Sequence, residues 1–235
     1  MRPPYIHAQD LTVWYGGTPV LNEATFACSE GEFVCIVGKS GTGKSTFLNA
    51  LAGFVQFSGK VAIPESIGFV FQDHALFPWM TVSQNIAFGL NGMDRKRRIN
   101  RVQEMLEQTG MLGYPNRYPD QLSGGQVQRV AFARALAPDP AVLLMDEPYG
   151  ALDHHTREKM QDWLLSVWKD TAKTVLFVTH YIEEAVFLAD RIVVLRDKRF
   201  VADICVPLPR PRLTEMRFDE RFLGVKLEVL EYMED

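Results

Sequence analysis

The residues Gly38-Lys39-Ser40-Gly41-Thr42-Gly43-Lys44-Ser45-Thr46 match in full the spacing G-x-x-x-x-G-K-[ST]. Glycines at these places let the backbone curl tightly and turn its N–H groups inward, and those groups, with a helix N-terminus behind them, favour an anion. In such a loop Lys44 reaches the β- and γ-phosphates of a nucleotide and the Ser45 hydroxyl ligates Mg²⁺. The competing reading is a glycine-rich turn that merely contains Lys-Ser. Four further groups could act on the same phosphates. Asp146 follows an apolar run, where an unpaired carboxylate is costly and a Mg²⁺ ion resolves the cost. Glu147 beside it should point the other way along an extended chain and can serve as general base for an attacking water. His180 can contact the γ-phosphate or that water, and Gln72 can ligate Mg²⁺ or orient the water. Taken singly, a lone His or Gln after a strand is usually structural. Together they need supply only position and charge, which is most of what phosphoryl transfer requires.

The elements that must hold these residues are legible. Phe33–Val37 is an apolar strand before the glycine-rich loop, and a helical pattern covers 46–52, the context that makes the pattern a phosphate site. Gln72 follows the strand 67–71, Asp146 and Glu147 follow Ala141–Met145, and His180 follows 174–178. Ligands of open α/β sheets bind beyond the carboxyl ends of the strands, so one sheet could present all four groups. Strands over 6–13 and 20–28, joined by a turn at 14–19, suggest an antiparallel region. Its aromatic pair Trp14 and Tyr15 reads equally well as an adenine-stacking ring or as edge packing.

From Val82 to about Gly113 the pattern is helical, with Thr81 or Ser83 as a cap and Asn91-Gly92 as a stop. A further helix begins after Leu122-Ser123-Gly124-Gly125-Gln126 and ends before Pro138. Ser123 with Gly124 and Gly125 at that helix N-terminus is a second anion-binding arrangement. One domain rarely needs two for one nucleotide, a first hint that the chain works as part of a pair. Helices are also expected near Met160–Trp168 and 181–189, and Ile192–Leu195 is a strand. A short terminal helix should carry Leu223, Leu227 and Leu230 on its apolar side.

Length and composition bound the rest. At 235 residues, with 47% hydrophobic and 23% charged, one globular domain with a possible subdomain is expected. A net charge of −4 offers no general attraction to nucleic acid. The basic run Arg95-Lys96-Arg97-Arg98 is short, precedes Glu104 and Glu107, and reads as a solvated helix face. Cys28, Cys35 and Cys205 lack paired metal spacing and read as reduced thiols of a cytosolic protein. No signal peptide and no run long enough to span a bilayer is expected, so a role at a membrane would go through a partner. The apolar, proline-broken loop His74–Met80 is either a partner-docking surface or folded back on the core.

In this arrangement the sequence resembles the ATP-binding cassette (ABC) ATPases. The motifs are Gly38–Thr46 (Walker A), Gln72 (Q-loop), Leu122–Gln126 (signature), Val142–Glu147 (Walker B with its glutamate), Ala151-Leu152-Asp153 (D-loop) and His180 (H-loop), in the family's order. The resemblance implies an α/β P-loop NTPase cassette with a mostly parallel RecA-like sheet, an antiparallel β region and a helical subdomain. The core would span about 1–72 and 136–206, the helical subdomain about 73–135, and a tail 207–235. It implies ATP and Mg²⁺ as cofactors, the metal held through Ser45, Gln72 and Asp146. Catalysis would fall to Glu147, His180, Lys44 and Gln72. Gly38, Ser40, Gly41, Gly43, Lys44, Ser45 and Thr46 would hold the nucleotide, with Tyr15 stacked on adenine and Trp14 as the alternative. It further implies a head-to-tail pair in which Ser123 and Gly125 bind the γ-phosphate held by the opposite Walker A, and Asp153 couples the two sites.

Finer resemblance, in Phe77–Val82, Asn85–Leu90, His180–Ala185 and Pro207–Pro211, points to the nitrate/sulfonate/taurine group of bacterial uptake cassettes. The implied partners are a second cassette, integral-membrane permease subunits and, indirectly, a periplasmic or lipid-anchored solute-binding protein, with no nucleic acid. The implied place is the cytoplasmic face of the inner membrane. A thiamine precursor or another small solute would fit the same resemblance, and a soluble ABC ATPase of repair or translation is the alternative from another class. The chain departs from the family pattern with Val127 after the signature, Tyr149 for the usual Phe and Tyr181 for a frequent Asp.

Overall fold

The computed structural model describes residues 4–171 and 173–234. The elements in chain order are β1 (Ile6–Tyr15), β2 (Thr18–Cys28), β3 (Phe33–Val37), α1 (Lys44–Leu51), β4 (Ser58–Ala62), β5 (Ile67–Val70), α2 (Val82–Ala87), α3 (Arg95–Gln108) and α4 (Gly124–Leu136). They continue with β6 (Val142–Asp146), α5 (His154–Thr171), β7 (Thr174–Thr179), α6 (Ile182–Leu188), β8 (Arg191–Arg196), β9 (Arg199–Cys205) and α7 (Glu220–Glu234). The chain divides into two compact units, Met1–Glu65 with Ala172–Asp235, and Ser66–Thr171.

The first unit holds an antiparallel sheet in the order β2-β1-β4 and the strands β7-β3-β8-β9. The β1–β2 hairpin closes on Gly16 and Gly17, at φ 56 and 82, with Tyr15 opposite Thr18. Two consecutive positive φ values suit the right-handed twist of a hairpin, and only glycine adopts them freely, so the turn is tighter than the break expected over 14–19. β7, β3 and β8 run parallel and are apolar along almost their whole length; every residue of β3 and of β7 is buried. Parallel strands covered on both faces read as unbroken apolar runs, which is why they are visible in the sequence. β9 returns antiparallel beside β8 and was not foreseen. Its residues alternate between exposed and half-buried, except for the buried Ile204, so no apolar run marks it.

α7 corrects an expectation. Its buried residues are Phe222, Val225 and Val229, while Leu223 and Leu227 are exposed. The i, i+3, i+7 set that includes the phenylalanine faces inward, while Leu223 and Leu227 lie off that stripe and Leu230 is half-buried.

The second unit pairs β5 with β6 in parallel, with α2, α3, α4 and α5 around them. Thr81 caps α2 and Gln84 completes a capping box; Asp94 caps α3 through the N–H groups of Lys96 and Arg97. The basic residues Arg95–Arg98 are all exposed. α3 buries Val102, Met105 and Leu106 but leaves Ile99 exposed. Among the described residues no helix is long and apolar enough to cross a membrane.

Candidate functional site

In the first unit β3 delivers the chain into the glycine-rich loop, and α1 begins at Lys44. Gly43 caps that helix in a left-handed conformation, φ 107, with no side-chain hydrogen bond to the first turn. The first N–H groups of a helix have no partner within it, so an N-terminus without a side-chain cap is built to receive an anion. Close approach explains two glycines. A Cβ on Gly38 would lie 2.3 Å from the Leu195 carbonyl oxygen, and one on Gly43 would lie 2.9 Å from that of Val20. Lys44 is buried, and its ammonium donates to the carbonyls of Gly38 at 2.9 Å and Lys39 at 3.0 Å. The positive charge is therefore held inside the loop by the loop's own backbone. Ser45 is half-buried, Thr46 is buried, and Ser40 and Gly41 are exposed on the loop's outer side.

His180 follows directly on β7, the parallel neighbour of β3, with Val37 opposite Thr179. The loop and His180 thus leave adjacent strands at the same end, as the sequence reading required. The imidazole is half-buried and its ring centroid lies 4.1 Å from that of Tyr181. Trp14 and Tyr15, at the end of β1, are both about half exposed, at 48% and 50%.

In the second unit β5 and β6 run parallel with Val70 opposite Met145, which places Gln72 and Asp146 at the same ends of neighbouring strands. Asp146 is buried at the last position of β6. Glu147 corrects the expectation of an extended chain: its φ is 42, a left-handed conformation. Such a conformation costs a non-glycine residue roughly 1–3 kcal/mol and is typical of functional sites. Pro148 disfavours the right-handed helical alternative, and the turn is closed by the Gly150 N–H donating to the Glu147 carbonyl at 3.1 Å.

Ser123 caps α4 in a reciprocal box: its hydroxyl oxygen accepts from the Gln126 N–H, and the Gln126 side chain accepts from the Ser123 N–H at 2.9 Å. Using the oxygen as acceptor leaves the hydroxyl proton as a donor. A Cβ on Gly125 would meet the Thr156 methyl at 3.2 Å. Asp153 is fully exposed and accepts from the Thr156 N–H at 3.0 Å at the start of α5, and hydrogen bonding from Thr156 holds its carboxyl below the ordinary aspartate range.

The family model described as ABC transporter matches residues 21–150. The chain is 43% identical over 228 residues to the aliphatic sulfonates import ATP-binding protein SsuB 2 of Rhizobium johnstonii, covering 96% of this chain and 89% of the relative. It is 47% identical over 192 residues to the taurine import ATP-binding protein TauB of Escherichia coli O157:H7, covering 77% and 75% respectively. The chain belongs to the ABC transporter family. It is an ATPase cassette of that family. A dimeric cassette, MJ0796, in a post-hydrolysis state with ADP and Pi matches it with a TM-score of 0.77 and 33% identity, over 87% of this chain and all of the other.

The cassette also contains supports that the sequence did not single out. Arg134 of α4 donates to the carbonyls of His74, at 2.9 Å, and Ala75, and its guanidinium lies over the Phe77 ring. His74 and Ala75 both have positive φ, 61 and 46, so a left-handed knuckle two residues after Gln72 is pinned to the signature helix. Burial holds the Arg134 guanidinium somewhat below its ordinary value. Asn85, fully buried in α2, accepts from the Phe77 N–H at 2.9 Å and donates to the carbonyls of Phe77, Met80 and Thr81. The aromatic loop is thereby shaped from within. Trp79 is 69% exposed at its tip, and a groove of about 740 Å³ lined by Trp79, Met80, Phe88, Ile99 and Leu106 lies beside it. A polar residue buried inside an otherwise apolar helix face was the available signal for Asn85; Arg134 had none.

Proposed function

We propose that this cassette is the Mg-ATP-hydrolysing subunit of a bacterial ABC importer for a small sulfonate-type anion, such as an aliphatic sulfonate or taurine. The observation that carries the reading is the phosphate cradle: a loop in which Gly38 and Gly43 admit no side chain, closed around a buried lysine, in a chain that carries all the family motifs. The names of the sulfonate and taurine relatives support the substrate class.

In this reading Lys44 and the loop N–H groups hold the β- and γ-phosphates, with Gly38, Ser40, Gly41, Gly43 and Thr46 shaping the contact, and Tyr15 stacks on adenine. The residues present fit a magnesium ion: Ser45 with Asp146 and Gln72 are hard oxygen donors of the type it prefers, and the ion would offset phosphate charge. Glu147, in its left-handed backbone conformation, takes the proton of the attacking water. His180 holds the γ-phosphate. Ser123 and Gly125 act on the nucleotide of a second copy, and Asp153 couples the two copies.

The functional division we propose is a nucleotide core over about 1–72 and 136–206 and a permease-facing helical part over about 73–135. The groove beside Trp79 receives an apolar cytoplasmic helix of the permease. The cassette then works peripherally at the cytoplasmic face of the inner membrane, fed by a solute-binding protein it does not touch.

The purified cassette is expected to hydrolyse Mg-ATP, and Glu147→Gln to lower turnover by at least 10²-fold while trapping ATP in a dimer, as loss of a general base requires. Undiminished turnover in Glu147→Gln removes the assignment of the base. Co-expression with a permease should recover a membrane complex that Trp79→Ala weakens.

A further inference from the structure

We propose that Tyr181 is the positioning residue for His180, holding the imidazole plane by stacking on it. This rests on His180 acting at the γ-phosphate. The two ring centroids are 4.1 Å apart with 37° between the planes. His180 lies between the end of β7 at Thr179 and the start of α6 at Ile182. Tyr181 is anchored from both sides. Its N–H donates to the hydroxyl of the buried Thr179 at 3.0 Å, and its carbonyl accepts from the Ala185 N–H at 3.2 Å. Behind it, Ala185, Val186, Phe187 and Leu188 are fully buried, so α6 is a firm base.

Tyr181 also occupies the N-cap position of α6, where a short polar side chain would bond the first turn, yet it makes no such bond. Its ring lies against the neighbouring imidazole. A ring fixed at its Cα and packed at a tilt of 37° against the next ring restricts the torsions through which the imidazole could swing away. Small misplacements of a group that contacts a reacting phosphate are expensive in rate, so a stacked partner raises kcat without contacting substrate.

The test compares Tyr181→Phe, Tyr181→Ala and each in a His180→Ala background. The readouts are Mg-ATP turnover of the purified cassette and the NMR resonance of the His180 Cε1 proton. Tyr181→Ala is expected to lower kcat about three- to tenfold with KM for ATP within about twofold, and to shift the resonance downfield as ring-current shielding is lost. Tyr181→Phe keeps the stack and should retain at least about half of kcat and the shielded resonance. In His180→Ala, removing the tyrosine ring should add almost nothing, because the residue it orients is gone. Tyr181→Leu, which keeps bulk without a π face, should behave like the alanine variant and guards against a simple folding defect. Wild-type kcat in both Tyr181→Ala and Tyr181→Leu overturns the proposal, as does a full additional loss in the His180→Ala background. Full turnover in His180→Ala alone overturns the role of His180 and the positioning role with it. An unshielded His180 resonance in the unmodified chain overturns the stack while leaving His180 in place.

Discussion

At the scale of single residues, Ser123 carries two duties that a substitution can separate. Its oxygen caps α4, and its proton remains a donor, which the proposed function assigns to the γ-phosphate of a second copy. Ser123→Asp preserves a good cap, since aspartate is among the best N-cap residues, but sets a carboxylate where the proposed phosphate contact lies. Ser123→Arg loses the cap and fills the space. Both variants should bind ATP at the Lys44 loop with affinity within about threefold of the unmodified chain, and both should fall below about 1% of its turnover. Equilibrium binding and single-turnover hydrolysis measure the two properties separately. If Ser123→Asp hydrolyses ATP normally, the hydroxyl is only a cap. Tyr149 illustrates the opposite case, a departure from the family pattern with a purely structural explanation. It is buried, and its hydroxyl donates to the Met160 carbonyl at 3.2 Å, so the extra oxygen is accommodated by α5. Tyr181 differs from its usual counterpart in a way that reaches the site.

At the scale of elements, α4 links the signature to the knuckle after Gln72. It begins at the Ser123 cap and, near its other end, holds the left-handed turn of His74 and Ala75 through Arg134. Hydrogen bonds from a charged donor contribute about 1.5–3 kcal/mol each when buried, less here because Arg134 retains some exposure. Arg134→Ala should therefore cost about 2 kcal/mol, lowering the thermal midpoint by about 4–8 °C for a chain of this size. Its larger effect should be on coupling: ATP affinity of the isolated cassette stays within about twofold, while stimulation of turnover by permease is lost. Retained stimulation would show that the knuckle needs no clamp. None of this was legible in the sequence. Arg134 lies in a run that reads as helix and nothing more, and its partners are backbone carbonyls, which have no residue type to betray them. The strands carrying the motifs were legible because burial on both faces leaves an apolar run between turn residues. The face of α7 was misjudged because leucines at i, i+4 and i+7 imitate a core stripe that Phe222, Val225 and Val229 in fact supply. Glu147 was misjudged because strand alternation was extended one residue past the point where β6 turns.

At the scale of the whole molecule, the loop at the end of β3 depends on what secures the beginning of β3, and in the first unit that anchor is ionic. Arg191, opening β8, donates to both Glu32 oxygens, at 2.6 and 3.2 Å, to Asp203 of β9 at 2.7 Å and to the Ala27 carbonyl of β2 at 2.7 Å. One guanidinium, lying over the Phe26 ring, thus joins the antiparallel sheet to the strands that carry the phosphate loop. Burial works to raise the Glu32 pKa, but the hydrogen bonds from Arg191 and the Ser29 N–H, with the Arg191 charge, outweigh it and leave the carboxyl below its ordinary value. A carboxylate with a depressed folded pKa contributes stability that is fully present above the unfolded value and is lost as pH falls through the folded one. The stability of the cassette should hold from pH 7 to about 5, then fall as Glu32 protonates below its ordinary range near 4.5. Arg191→Met keeps the bulk over Phe26 and removes the charge, so burial alone then acts on Glu32 and raises its pKa. The variant should be less stable than the unmodified chain at pH 7, and the gap should narrow steadily on acidification, because each proton taken up relieves the variant and penalises the original. Urea unfolding at pH 7, 5, 4 and 3.5 measures the gap directly. A gap that stays constant across that range would mean that Arg191 joins the sheets by its packing and its bonds to Asp203 and Ala27, with Glu32 a bystander.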